Sequence, residues 1–250
     1  MKHKVVMTKN VARLAEAGEA LIHRSPGTDG MGLVHGETGY GKTTAVSWYV
    51  NRCNGVYVRA WATWTPAAML SSILRELGRA ARGSCAQMMG DIIEALALSG
   101  RPLFVDEADY LIDSKRMCES LRDLHDMASV PVILIGMGGI EQRLSARKQL
   151  TGRVQQDVRF APLDEEDARK LAGELCEVRV KADLLAEITR RTAGSTRLLV
   201  IALARIEHYA RSRGMDSIGL ADWGKRDLFT GRAPEAARSE LQVVKTEGAA

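Results

Sequence analysis

The segment Gly36-Glu37-Thr38-Gly39-Tyr40-Gly41-Lys42-Thr43 follows the spacing G-x-x-x-x-G-K-[ST]. A short apolar run, Met31-Gly32-Leu33-Val34-His35, precedes it, and helical spacing from about Lys42 to Cys53 follows. Strand, glycine-rich turn and helix is the setting in which this spacing forms a phosphate-binding loop, the P-loop. The glycines let the chain curl so that successive backbone N–H groups face phosphate oxygens. The helix N-terminus adds a dipole that favours an anion. Lys42 supplies a compact positive charge for β- and γ-phosphates, and the Thr43 hydroxyl can ligate Mg²⁺. Gly36, Glu37, Thr38, Gly39, Tyr40, Gly41, Lys42, Thr43 and Thr44 are the residues this reading assigns to the nucleotide.

A second group of residues supplies acids. Leu103-Phe104-Val105 is an apolar strand that delivers Asp106-Glu107 to its C-terminal end, where open α/β sheets bind their ligands. Asp106 is expected to hold Mg²⁺ through its water shell. Glu107 is placed to orient and deprotonate an attacking water. The chemistry implied is Mg²⁺-dependent hydrolysis of ATP, with Lys42 and Glu107 as catalytic residues.

These residues need a frame. Apolar spacing predicts an amphipathic helix over 8–24, which Ser25-Pro26-Gly27-Thr28-Asp29-Gly30 ends. Further strands are expected at Val56–Ala60, Pro102–Asp106 and Val130–Gly136. Helices are expected from Thr65-Pro66 to about Ala81, over 85–99 and over 115–128. Near-continuous apolar strands alternating with helices imply a parallel sheet buried on both faces. After about residue 163 only helices are expected, over 164–176, 181–192 and 195–213, with a weak one near 219–228. The fold class is α/β: a P-loop NTPase sheet flanked by helices, then a small all-helical domain. The divisions are 1–30, N-terminal helix and linker; 31–162, α/β domain; 163–230, helical domain; and 231–250, a flexible tail.

The chain has 250 residues, 46% hydrophobic and 26% charged, which excludes a largely disordered polypeptide. No apolar run reaches the roughly 18 residues of a spanning helix, and the N-terminus has no secretory apolar region, so no membrane partner is expected. Cys53, Cys85, Cys118 and Cys176 form no C-x-x-C pair, which points to reduced thiols and a cytoplasmic location. The net charge of +4 lies in the first 60 residues, with eight Lys/Arg against four Asp/Glu. Arginines outnumber lysines 25 to 10, which is compatible with phosphate contacts.

The P-loop, the strand ending Asp106-Glu107-Ala108-Asp109 and the helical segment after 163 together resemble the AAA+ ATPases over residues 8–213. The resemblance implies that the helical domain is a lid. Within Gly194-Ser195-Thr196-Arg197-Leu198-Leu199, it implies Arg197 as the sensor 2 residue at the γ-phosphate. It implies a homo-oligomer with nucleotide at subunit interfaces and an arginine reaching the next subunit's site. Arg153 in Thr151-Gly152-Arg153-Val154 stands where that arginine belongs, with Arg143 and Arg147 as competitors. The family's polar sensor 1 residue is missing. Ile135-Gly136-Met137-Gly138-Gly139 offers Met137 there, and a thioether cannot orient a water as a polar donor would. Slow turnover is the implied consequence.

Within AAA+ proteins the chain resembles the phage Mu B-type transposition ATPases. The cues are Met31-Gly32-Leu33-Val34-His35-Gly36, the lone N-terminal helix, Val105-Asp106-Glu107-Ala108-Asp109, Val132-Ile133-Leu134-Ile135-Gly136 and the small lid. This implies an ATPase that assembles on double-stranded DNA without sequence preference and delivers it to a DDE transposase, in the cytoplasm of a bacterial host. The alternative is a secretion- or signalling-linked AAA+ ATPase with a protein partner. The DNA candidates are Arg59 and Thr63, beside Trp61 and Trp64 in the segment after the second strand, and Lys115-Arg116. For the tryptophans the other reading is core or subunit packing.

Overall fold

In a computed structural model, residues 1–229 are described; the expected tail, 231–250, lies outside them. The elements run α1 (Lys9–Ile22), β1 (Met31–Gly36), α2 (Lys42–Arg52), β2 (Val56–Arg59), α3 (Pro66–Glu76), α4 (Cys85–Ser99), β3 (Leu103–Asp106), α5 (Asp109–Ile112), α6 (Lys115–Ala128), β4 (Val132–Ile135), α7 (Ile140–Ser145), α8 (Lys148–Thr151) and β5 (Val154–Phe160). They continue with α9 (Glu165–Leu175), β6 (Arg179–Val180), α10 (Ala182–Thr192), α11 (Thr196–Arg211), β7 (Ser217–Ile218) and α12 (Leu220–Trp223).

The chain divides into two compact units. One comprises Asn10–Thr38 and Lys42–Phe160; the other comprises Met1–Lys9, Gly39–Gly41 and the chain from Ala161. In the former, five parallel strands lie in the order β2-β3-β4-β1-β5. Strand side chains alternate between faces. Val56, Val58, Leu103, Val105, Val132 and Leu134 pack with Met69 and Ile73 of α3, Ile92 of α4 and Leu121 of α6. On the opposite face Phe104 meets Tyr49 of α2 edge-on at 6.1 Å, and Gly32 and Gly18 let Leu21 and Tyr49 approach closely. This accounts for the apolar runs of β3 and β4, which are buried at every position.

Strand β5 is absent from the sequence-based expectation. It is an edge strand whose residues Val154 to Phe160 are mostly polar and half exposed, so no apolar run marks it. Helix α3 starts at the expected Thr65-Pro66 cap but stops at Glu76, five residues short of Ala81, because Gly78 takes a φ of +72°. The unit after Ala161 is built from α9, α10 and α11 around Leu171, Leu184, Ile188, Leu203 and Ile206. It is not purely helical: β6 and β7 pair in parallel over two residues each. The weak helix expected near 219–228 is one turn, ended at Gly224 with φ +65°.

Candidate nucleotide-binding site

β1 delivers the loop. Gly36 has φ +143°, and a Cβ there would lie 2.5 Å from the Phe160 carbonyl oxygen on β5, so only glycine fits. Gly39 and Gly41 also have positive φ, +95° and +85°. Lys42 opens α2, and its Nζ donates to the Gly36 carbonyl and, at 3.0 Å, to that of Glu37. Burial holds its ammonium pKa below the ordinary lysine value, opposed by the charges of Asp106, Glu37, Glu107 and Asp109. Thr43 and Thr44, in the first turn of α2, are exposed.

β3 delivers the acids. Asp106 is buried, 4% exposed. Its Oδ1 accepts the Glu107 backbone N–H at 2.9 Å, and its Oδ2 accepts the Tyr57 hydroxyl at 2.6 Å. Burial first, then the bond to Asp106, raise the Tyr57 phenol well above its ordinary pKa. Glu107 adopts φ +54°, a left-handed conformation that costs a non-glycine residue about 1–3 kcal/mol. Its Oε1 accepts from Arg59 Nη2 at 2.9 Å. Tyr57 and Arg59 share one face of β2, so one strand edge holds both carboxylates. Tyr57 and the Arg59–Glu107 pair escape sequence reasoning, because both depend on the β2–β3 register. The only local signal is the period-2 spacing of two polar-tipped residues.

Among the described residues no cluster of three or more His, Cys, Asp or Glu could hold a metal. Thr43 and Asp106 alone would bind Mg²⁺, with phosphate oxygens and water completing the shell. That donor set suits a cation that keeps its waters and takes few protein ligands. Both Asp106 oxygens already accept one hydrogen bond, leaving one lone pair on each.

Of the remaining candidates, Met137 and Arg197 each contact a loop residue. Met137 is half exposed after β4; its N–H donates to Asp109 Oδ2 at 2.8 Å, and its sulfur receives the Thr38 hydroxyl at 3.8 Å. A Cβ on Gly138 would collide with the Glu37 carboxylate. Arg143 pairs with Asp109 and Asp113, and Arg147 donates to the Ile112 and Asp113 carbonyls. Arg153 forms a two-pronged pair with Asp126, at 2.7 and 2.6 Å. Its carbonyl accepts the Met31 N–H, so it sits at the sheet edge opposite the loop. Arg197 is exposed in the first turn of α11, and its backbone N–H donates to the Gly39 carbonyl at 2.9 Å. Thr63, Lys115 and Arg116 are exposed, with Lys115 3.7 Å from Glu119. The tryptophans divide: Trp64 packs on the core, whereas Trp61 is 66% exposed.

Residues 23–144 match a family described as the AAA domain. No curated protein matches the sequence. Among solved structures, the ORC1 protein of Aeropyrum pernix in complex with DNA is similar at 18% identity and TM-score 0.62, covering 98% of this chain and 69% of that one. The ORC2 protein of the same organism, in ADPNP–ADP complexes, gives 17% and 0.65, covering 87% and 68%. The Holliday junction branch migration motor RuvB of Thermotoga maritima gives 19% and 0.57, covering 85% and 66%. At these identities the likeness is one of fold. The chain therefore has the parallel-sheet fold of AAA+ P-loop NTPases, and its residues 23–144 match the AAA domain family.

Proposed function

We propose that the protein is an ATP-hydrolysing, DNA-binding AAA+ ATPase that assembles on double-stranded DNA without sequence preference. The observation that carries the ATPase reading is the glycine loop between β1 and α2, over which Lys42 Nζ reaches the Gly36 and Glu37 carbonyls, together with Asp106 and Glu107 at the end of β3. Lys42 exchanges its loop carbonyls for phosphate oxygens when ATP binds. Thr43 and Asp106 would hold Mg²⁺, which would supply positive charge for the phosphates. Glu107 Oε2, the oxygen Arg59 leaves open, accepts the proton of the attacking water. Arg197 serves the γ-phosphate in the same subunit and Arg153 that of the next.

The DNA reading is supported by exposed Arg59, Thr63, Lys115 and Arg116 following the ends of neighbouring strands β2 and β3. Of the similar folds, one is in complex with DNA and one is a Holliday junction branch migration motor. The further step, delivery of target DNA to a DDE transposase, rests on the sequence resemblance alone. The test is ATP hydrolysis with and without a random-sequence duplex across a salt series. Stimulation that falls steeply with salt is expected, as counterion release requires. A rate indifferent to DNA at all salt concentrations would overturn the DNA reading and favour a protein partner.

A further inference from the structure

The structure assigns Tyr57 as a positioning residue for Asp106, fixing the plane of its carboxylate so that its free lone pairs face the metal of the bound nucleotide. This rests on the reading of Thr43 and Asp106 as the Mg²⁺ pair. Asp106 is a buried carboxylate, 4% exposed. A buried charge in that position depends on hydrogen bonds. It has two, on different oxygens: the Glu107 N–H on Oδ1 and the Tyr57 hydroxyl on Oδ2. Two donors on two oxygens stop the carboxylate from rotating about its Cβ–Cγ bond. At 2.6 Å the phenol bond lies in the range of charge-assisted O–H···O⁻ contacts, about 2.5–2.7 Å.

The register explains the reach. Arg59 stands opposite Asp106 and Tyr57 opposite Phe104, so the phenol crosses diagonally to the residue two further along β3. The Glu107 N–H comes from a residue at φ +54°, whose backbone is strained. Of the two donors, Tyr57 is the one contributed by a regular strand.

Tyr57→Phe removes one oxygen and keeps the ring. Binding of a fluorescent ADP analogue is titrated first in EDTA and then against rising MgCl₂. Affinity in EDTA should be unchanged, and the half-saturating Mg²⁺ concentration should rise about ten-fold, the low end of the loss seen when outer partners of metal ligands are removed. In an Asp106→Asn background, Tyr57→Phe should add nothing. A purely structural tyrosine would move affinity in both conditions together or in neither, and either result overturns the assignment. If the unaltered protein binds the analogue with no Mg²⁺ dependence, the nucleotide-site reading falls with it. If only Tyr57→Phe is without effect, Tyr57 alone is misassigned.

Discussion

Glu107 combines a left-handed backbone with a guanidinium on its carboxylate, and both bear on its proposed role as a base. Glu107→Gln should retain ATP binding and slow hydrolysis by about 10²–10⁴, the range for a lost general base. Hydrolysis at the unaltered rate would move the base elsewhere. Arg59 pairs with Glu107, and in the proposed DNA reading it also meets DNA phosphates. Arg59→Ala removes the ion pair on the Glu107 carboxylate. It should also weaken DNA binding about equally for all sequences. Arg59→Ala should shallow the salt slope by about 0.9, and adding Lys115→Ala should shallow it by about as much again. An unchanged slope with both side chains removed would place the DNA-binding surface elsewhere. Lys42, Thr43, Asp106 and Glu107 are legible in the sequence because phosphate and metal chemistry demands fixed residue types at fixed spacing. What Arg59 and Tyr57 touch is not, because a partner on another strand is set by register.

Elements were legible where burial writes a period into the chain. β1, β3 and β4 are covered on both faces and read as apolar runs. α3 announces itself through the Thr65 hydroxyl that caps the Ala68 N–H and through Pro66 in its first turn. β5 leaves no such trace: it is paired on one side by β1 and carries Gln155, Gln156, Asp157 and Arg159. What secures its start is the Arg153–Asp126 pair, which ties the beginning of β5 to α6. Arg153 holds the Asp126 carboxyl below its ordinary pKa, chiefly through the hydrogen bond. A carboxyl depressed on folding contributes stability above its unfolded pKa, near 3.8, and loses it as pH falls through the folded value. Asp126→Asn should therefore lower thermal stability at neutral pH, by under about 1 kcal/mol for a pair this exposed. The difference from the unaltered protein should vanish in strong acid. A difference that persists there would mean the loss is one of packing.

At the scale of the whole molecule, the sheet decides which subunit Arg153 can serve. It lies beside Met31, at the start of β1, while the loop begins at Gly36, where β1 ends. Five strand steps of about 3.3 Å separate the two levels, roughly 17 Å, which an arginine side chain does not span. In the proposed assembly, the nucleotide phosphate served by Arg153 belongs to another copy of the chain, and Arg153 must first leave Asp126. Arg153→Ala should then leave ATP binding intact while assembly-dependent hydrolysis falls by about 10³, since an arginine supplied in trans is worth about 10³–10⁵. Lys42→Ala should abolish nucleotide binding, because the phosphates lose their main neutralising partner. Each variant alone lacks one half of the site. Mixed, a subunit with an intact loop can sit beside a subunit with an intact Arg153, and part of the activity should return. An arginine acting within its own subunit could not be rescued in this way, because neither variant carries a complete site. Joint binding of the two variants to DNA is checked first, by labelling each separately. If they assemble together and no hydrolysis returns, Arg153 is not the bridging arginine. Arg147 and Arg143, which now hold the loop after β3 through Ile112, Asp113 and Asp109, then become the groups to remove.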